Sequence, residues 1–275
     1  MRPTMMQATA LSDTGKLRER NQDSVWVDAA TGVCIVADGM GGHQAGEVAS
    51  KLCVDTLREA LNAKTLDRSR SDAVARAVTH GLTTANQVIR EEARSLSGKT
   101  NMGTTAAVFI PWQDDDRFAA VIAHVGDSRV YLWRQGTLKQ LTRDHSLIQE
   151  QVGAGFLSKT EARQSHNRNL ITRALGLEET VEPELDVVDV EAGDLFLLCS
   201  DGLNTMVSDG EIGEILSALA DNPALAARAL VAVANDYGGH DNVTVALAWT
   251  HSTRTSPQPA AKSLFSRLFG WLFGK

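Results

Sequence analysis

The chain has 275 residues, 43% of them apolar, and carries 27 Lys and Arg against 34 Asp and Glu for a formal net charge of −7. That length and apolar content suffice to bury one sizeable core, so one domain with an appendage is expected. The acidic balance, with no stripe of Lys and Arg, argues against a nucleic-acid-binding surface.

In chain order, short β-like runs come at 6–11, 24–27, 33–37, 104–110, 118–123, 130–133, 195–199 and 243–249. Between the third and fourth runs, Val48, Leu52, Leu57 and Leu61 recur at helical spacing, as do Val74, Val78, Leu82, Ala85 and Ile89. Each set predicts a helix with one apolar stripe to bury. The polar segment 144–169 has helical propensity and interrupts the strand pattern, which reads as a lid or binding loop. Ser208 followed by Glu211 spells a capping box ahead of Ile212, Ile215, Leu216 and Leu219. Asn222-Pro223 spells an N-cap with proline in the first turn. Strand runs followed by helix pairs in both halves predict an α+β fold, a four-layer αββα sandwich of two stacked antiparallel sheets flanked by helices.

Residues 251–262, rich in Ser, Thr, Pro and charge, read as a flexible linker after a domain spanning 1–250. The tail 263–275, SLFSRLFGWLFGK, is amphipathic when drawn as a helix, with Ser263, Arg267, Gly270 and Gly274 on one face. Ten helical residues span only about 15 Å, too short to cross a bilayer. The tail therefore either lies in a membrane interface, with Lys262, Arg267 and Lys275 at the headgroups, or docks on protein. No segment reads as a signal peptide or spanning helix. Cys34, Cys53 and Cys199 lie in apolar runs at separations that fit neither a CxxC site nor a disulfide framework. A cytoplasmic protein with buried, reduced thiols is expected, with the tail as the means of a peripheral position at the inner membrane face.

The chemistry is concentrated in aspartates. Asp38 follows the run VCIVA, Asp201 follows LFLLCS, Asp127 follows FAAVIAHVG, Asp241 precedes NVTVALAW, and Asp23 precedes SVWV. One strand-end aspartate is ordinarily a turn residue. Five, two of them in Asp-Gly pairs, point to carboxylates gathered where strand ends meet, an arrangement that repels itself unless cations neutralise it. With no His or Cys set at zinc spacing, oxygen ligands favour Mg²⁺ or Mn²⁺. Two such ions about 3.5–4 Å apart activate a bridging water and offset charge on a phosphoryl oxygen, which points to phosphate-ester hydrolysis. Phosphate also calls for a bidentate cation, which Arg18 or Arg20 would supply.

The ordered motifs TGKLRERNQDS, VADGMGGHQAGE, MGTTAAV, AHVGDSRVYLWRQG, LTRDHSLIQE, RNLITRALG, LCSDGLNTMVSD and GGHDNVTVAL resemble those of the metal-dependent Ser/Thr protein phosphatases of the PPM, or type 2C, family in its bacterial form. The resemblance implies that Asp38 bridges two Mn²⁺ or Mg²⁺ ions, that the Gly39 carbonyl joins one of them, and that Asp201 and Asp241 complete one ion's sphere. It implies that Asp127 with Asp201 forms a third, weaker metal site and that Asp23 acts through metal-bound water. Arg18 falls where the family places its phosphate-binding arginine. His43 is a general-acid candidate or a satisfied loop histidine, and His145, His166 and His240 are expected to be structural. Segment 144–169 corresponds to the flap beside the active site. Gln22 stands where many members carry Glu, so the second ion is expected to bind more weakly and activity to need millimolar metal.

The implied partners are phosphoprotein substrates and an opposing bacterial Ser/Thr kinase, met by a monomer. A catalytically weak phosphoprotein-binding regulator and a phosphatase of a small phosphorylated metabolite remain open as alternatives.

Overall fold

The computed structural model describes residues 6–42, 44–62, 66–95, 101–115, 117–157, 161 and 170–250. Its strands are β1 (Met6–Asp13), β2 (Asp23–Asp28), β3 (Val33–Met40), β4 (Gly103–Thr104), β5 (Ala106–Gln113), β6 (Phe118–Val125), β7 (Arg129–Arg134), β8 (Thr137–Gln140), β9 (Glu184–Asp189), β10 (Leu195–Cys199) and β11 (Val243–Thr250). The helices are α1 (Ala45–Ala60), α2 (Ser71–Ser95), α3 (Leu147–Gly153), α4 (Asp201–Asn204), α5 (Asp209–Leu219) and α6 (Pro223–Asp236). One sheet has the order β1-β11-β10-β7-β8 and the other β2-β3-β5-β6-β9, with β4 paired to β3 off that path. Every pairing in both is antiparallel.

Side-chain alternation explains why the central strands are apolar without interruption. On β3, Val33, Ile35 and Ala37 enter a core shared with α1 and α2, while Cys34 and Val36 enter a core between the two sheets. On β10, Leu195, Leu197 and Cys199 pack with α5 and α6, while Phe196 and Leu198 point into the inter-sheet core, where the Phe196 ring lies 4.5 Å from that of Phe109. A strand covered on both faces has no polar side to show. Three stacked cores separate four layers, as expected for the αββα sandwich.

Two helices begin where the sequence placed them. Ser208 and Glu211 form the reciprocal capping box of α5, and the Asn222 side chain caps α6 with proline at its first turn. The predicted stripe of α2 is buried in full. That of α1 holds at Leu57 and Leu61, which are fully buried, but shifts earlier in the helix: Ala45, Ala49 and Cys53 face the core, whereas Val48 and Leu52 lie at its margin. Small residues on the inner face let α1 approach β3 closely, and burial follows that approach rather than side-chain size.

Two strands escaped the sequence reading and one was divided. The β7–β8 hairpin turns through Gln135 and Gly136, both at positive φ, and glutamine is not a turn signal. Strand β9 is an edge strand whose sequence, ELDVVD, is half acidic and mostly exposed. The predicted run 104–110 is interrupted at Thr105, whose N–H bonds back to the Asp38 carbonyl (2.9 Å). The linker 251–262 and the tail 263–275 lie outside the described residues.

Candidate metal centre

The register of β2 and β3 sets Asp23 directly opposite Asp38. Like charges so placed destabilise a sheet, so their presence requires a reason other than stability. Asp201 opens α4 immediately after β10, and Asp241 stands two residues ahead of β11, the neighbour of β10 in the other sheet. Asp127 occupies the turn between β6 and β7. The site is thus built where strand ends from both sheets meet.

Buried hydroxyls hold these acids in place. Ser200 Oγ donates to Asp23 Oδ2 (2.7 Å), and Ser200 Oγ itself accepts from the Thr244 N–H (3.0 Å). The Asp38 N–H donates to Thr105 Oγ1 (3.0 Å), and the Asp38 carbonyl accepts from Thr104 Oγ1 (2.8 Å). Behind Asp38 the chain passes α1 backbone against backbone: a Cβ on Gly46 would stand 2.7 Å from the Gly39 carbonyl oxygen and 2.8 Å from Gln22 Nε2, and a Cβ on Gly39 would collide with the Gly46 carbonyl. Only glycine permits that approach.

The five carboxylates feel one another. Burial is the largest influence on Asp38 and lifts its pKa well above the carboxylate range, with Asp23, Asp201, Asp127 and Asp241 each raising it further. Burial pushes Asp23 up to about 6 against the hydroxyls of Thr244 and Ser200, with Asp201 and Asp241 adding repulsion. Asp127 is pushed up to about 7 by burial, then by Asp201 and Asp144. Asp201 is raised by burial and by Asp241, and a hydrogen bond with Asp38 opposes the rise.

Two arginines near Asp23 have different destinations. Arg18 Nη2 donates to Asp241 Oδ2 (2.7 Å) with its side chain half exposed, while Arg20 pairs with Glu47 of α1 (3.7 Å). Arg129, from the GDSR motif, is engaged by Asp144 through three hydrogen bonds of 2.7–3.1 Å and by the Tyr131 hydroxyl (2.8 Å). It therefore anchors the start of segment 144–169, while its charge lowers the pKa of Asp127 and Asp201 without outweighing burial and repulsion there. Each of the chief influences on Asp38 raises its pKa. Five clustered carboxylates against the Arg18 and Arg129 charges leave an excess of negative charge, and oxygen donors of that kind fit hard divalent cations such as Mn²⁺ or Mg²⁺.

His124, His145 and Glu184 form a second gathering of ligand-type atoms, within 4.8 Å of one another. Their protons argue against a metal there. His124 Nε2 lies 2.7 Å from the Arg143 carbonyl, which only accepts, so that nitrogen carries hydrogen. The Gly126 N–H donates to His145 Nδ1 (3.2 Å), which places the His145 proton on Nε2, facing Glu184 at 3.3 Å. The two rings stack with centroids 4.6 Å apart. His145, pushed down to about 4 by burial and then by His124 and Arg173, is a neutral structural histidine.

Of the residues singled out from sequence, the structure brings Asp23, Asp38, Asp201, Asp241 and Arg18 into one neighbourhood, with Asp127 beside Asp201 and Gly39 next to Asp38 in β3. His43 lies outside the described residues, as does most of the second half of segment 144–169. The hydroxyls of Ser200, Thr105 and Thr244 were not anticipated. Each sits beside an aspartate in a quoted motif or across a strand from it, but a hydroxyl gives no periodic signal.

A sandwich whose sheets meet at an oxygen-only carboxylate cluster, with an arginine at its edge, has the parts that a metal-dependent phosphatase needs. A sequence profile of the family described as Protein phosphatase 2C matches residues 16–241. The serine/threonine phosphatase Stp of Listeria monocytogenes is 39% identical over 247 residues, covering 88% of this chain and 95% of that protein. The Mycobacterium tuberculosis serine/threonine phosphatase PstP/Ppp is structurally similar with a TM-score of 0.77 and 37% identity, over 90% of this chain and 99% of that one. A catalytic domain of PstP solved in complex with two manganese ions gives a TM-score of 0.74 at 37% identity, with the same coverage. The chain belongs to the protein phosphatase 2C family.

Proposed function

We propose that the protein hydrolyses phosphoserine and phosphothreonine esters on other proteins, with Asp23, Asp38, Gly39, Asp127, Asp201 and Asp241 as its metal-binding residues and Arg18 as its phosphate-binding residue. The observation that carries the proposal is the convergence of five aspartates from separated segments, each of the chief influences on Asp38 tending to keep it protonated until cations arrive. Mn²⁺ or Mg²⁺ supplies, when bound, a water acidified into the neutral range and positive charge to offset the phosphoryl oxygens.

The chain's own groups do the rest. Asp38, with the Gly39 carbonyl, Asp201 and Asp241, would hold the two catalytic ions, and Asp127 with Asp201 would hold a third. Ser200 Oγ keeps one oxygen of Asp23 fixed, leaving its charge directed by geometry already formed. Arg18, anchored to Asp241 yet half exposed, is placed to receive and orient a phosphate at the cluster's edge. His43 is assigned the proton for the leaving serine or threonine oxygen.

Segment 144–169 is assigned the role of a flap that selects substrate. Its entry is held by the Asp144 and Arg129 pair and by the bridge of Ser146 with Ile171, and beyond α3 it presents Phe156, 80% exposed. A monomer in the cytoplasm, opposing a Ser/Thr kinase and docked by its tail 263–275 at the inner membrane face or on protein, completes the proposal. The decisive assay is metal-dependent dephosphorylation of a phosphothreonine peptide by wild type and Asp38→Ala. Turnover that vanishes in the variant and in excess chelator is expected; wild type without metal-dependent turnover would mark a phosphoprotein binder and overturn the proposal.

A further inference from the structure

Segment 14–22, which carries Arg18, contains neither helix nor strand, so its backbone groups must find partners elsewhere. Three of them find the same one. The Gln22 N–H donates to Asn242 Oδ1 (2.8 Å), and Asn242 Nδ2 donates to the carbonyls of Thr14 (2.9 Å) and Arg20 (2.9 Å). Asn242 is 4% exposed and makes three side-chain bonds to both ends of a single loop. Its backbone is tied to the site as well, since the Asn242 N–H donates to Asp241 Oδ1 (2.8 Å) and a Cβ on Gly202, the residue after Asp201, would collide with the Asn242 carbonyl.

The middle of the loop is held by the same stretch of chain. The Gly239 carbonyl accepts from the N–H groups of Lys16 (2.8 Å) and Leu17 (3.2 Å), and a Cβ on Gly15 would strike the Asp241 carbonyl. Arg18 then returns its own side chain to Asp241.

We propose that Asn242 is the positioning residue for phosphate binding: it fixes the Arg18 loop against the carboxylate cluster, so that the guanidinium is held ready instead of being ordered at each encounter. The inference rests on the assignment of phosphate to Arg18. A long arginine on an irregular loop loses much conformational freedom on engaging a ligand, and a loop fixed in advance reduces that cost. Geometry alone identifies the amide: an acid in its place keeps the acceptor for Gln22 but turns both donors into acceptors facing the Thr14 and Arg20 carbonyls.

The test is a double-mutant cycle of wild type, Arg18→Ala, Asn242→Asp and the double variant, at saturating Mn²⁺. It reads the inhibition constant of inorganic phosphate and the KM of a phosphothreonine peptide, with thermal midpoints and amide exchange over 14–22 in metal-free protein. Asn242→Asp is expected to weaken phosphate about tenfold when Arg18 is present and less than twofold when it is absent, and to speed exchange at Lys16 and Leu17. Asn242→Ser, which replaces the amide by a shorter hydroxyl unable to make all three bonds, serves if the acid does not fold, with the same pattern expected. An equal weakening in both backgrounds overturns the role of Asn242 while leaving Arg18 intact. No weakening from Arg18→Ala overturns the phosphate assignment itself, and the positioning role falls with it.

Discussion

Removing the charge of Asp23 is expected to stabilise the metal-free protein at neutral pH, although the residue belongs to the active site. In the fold its pKa rises from 3.8 to about 6, so the folded chain holds a proton that the unfolded chain has released. Above the folded value the buried carboxylate is charged and costs about 3 kcal/mol; as pH falls through 6 toward 4 the folded state takes up the proton and that cost disappears. Asp23→Asn keeps an acceptor for Ser200 Oγ and removes the charge. Urea unfolding in excess chelator should therefore show the variant more stable by about 2–3 kcal/mol at pH 7.5, the gap closing near pH 4. Added Mn²⁺ should reverse the order, because binding to the folded state stabilises wild type more. A variant less stable than wild type at pH 7.5 without metal, or a difference that does not vary with pH, would refute the claim that repulsion and burial dominate at this site.

Gln22 in place of glutamate predicts half-saturation by Mn²⁺ in the millimolar range and a roughly tenfold lower value in Gln22→Glu, equivalent to about 1.4 kcal/mol; titration of activity decides it, and micromolar saturation of wild type contradicts it. His145, held neutral, contributes stability that is present above the unfolded value near 6.5 and lost as pH falls toward 4. Its imidazole nitrogens followed by NMR should report the Nε2–H form, as the Gly126 bond requires, and no titration above pH 5; a midpoint near 6.5 would refute burial and the neighbouring His124 and Arg173 as forces holding it neutral. Replacing Phe156 by serine should lower turnover of a phosphoprotein several-fold and leave a small aryl phosphate within about twofold; equal losses on both count against a substrate-selecting flap.

Much of the site was legible because metal chemistry confines aspartate to strand ends, where an acid after an apolar run is conspicuous. The choice of Arg18 over Arg20 became geometric only in the fold, where Glu47 claims the second arginine. Strand β9 was hidden because an edge strand needs few apolar residues, and only Val188 of its six packs against the inter-sheet core. The first half of the α1 stripe was misplaced because Ala49 and Cys53 bury completely at close approach while Val48 and Leu52 stay at the margin. Asn242 escaped because its partners are backbone groups some 220 positions earlier in the chain, and no local pattern records that distance.

The three cysteines are divided one to each core: Cys53 beneath α1, Cys34 between the sheets and Cys199 beneath α5 and α6, all fully buried and unpaired. Single-thiol variants would thus give an alkylating reagent one native label per interface. Their labelling rates across denaturant would then tell whether the layers part in a single cooperative event or peel away in sequence.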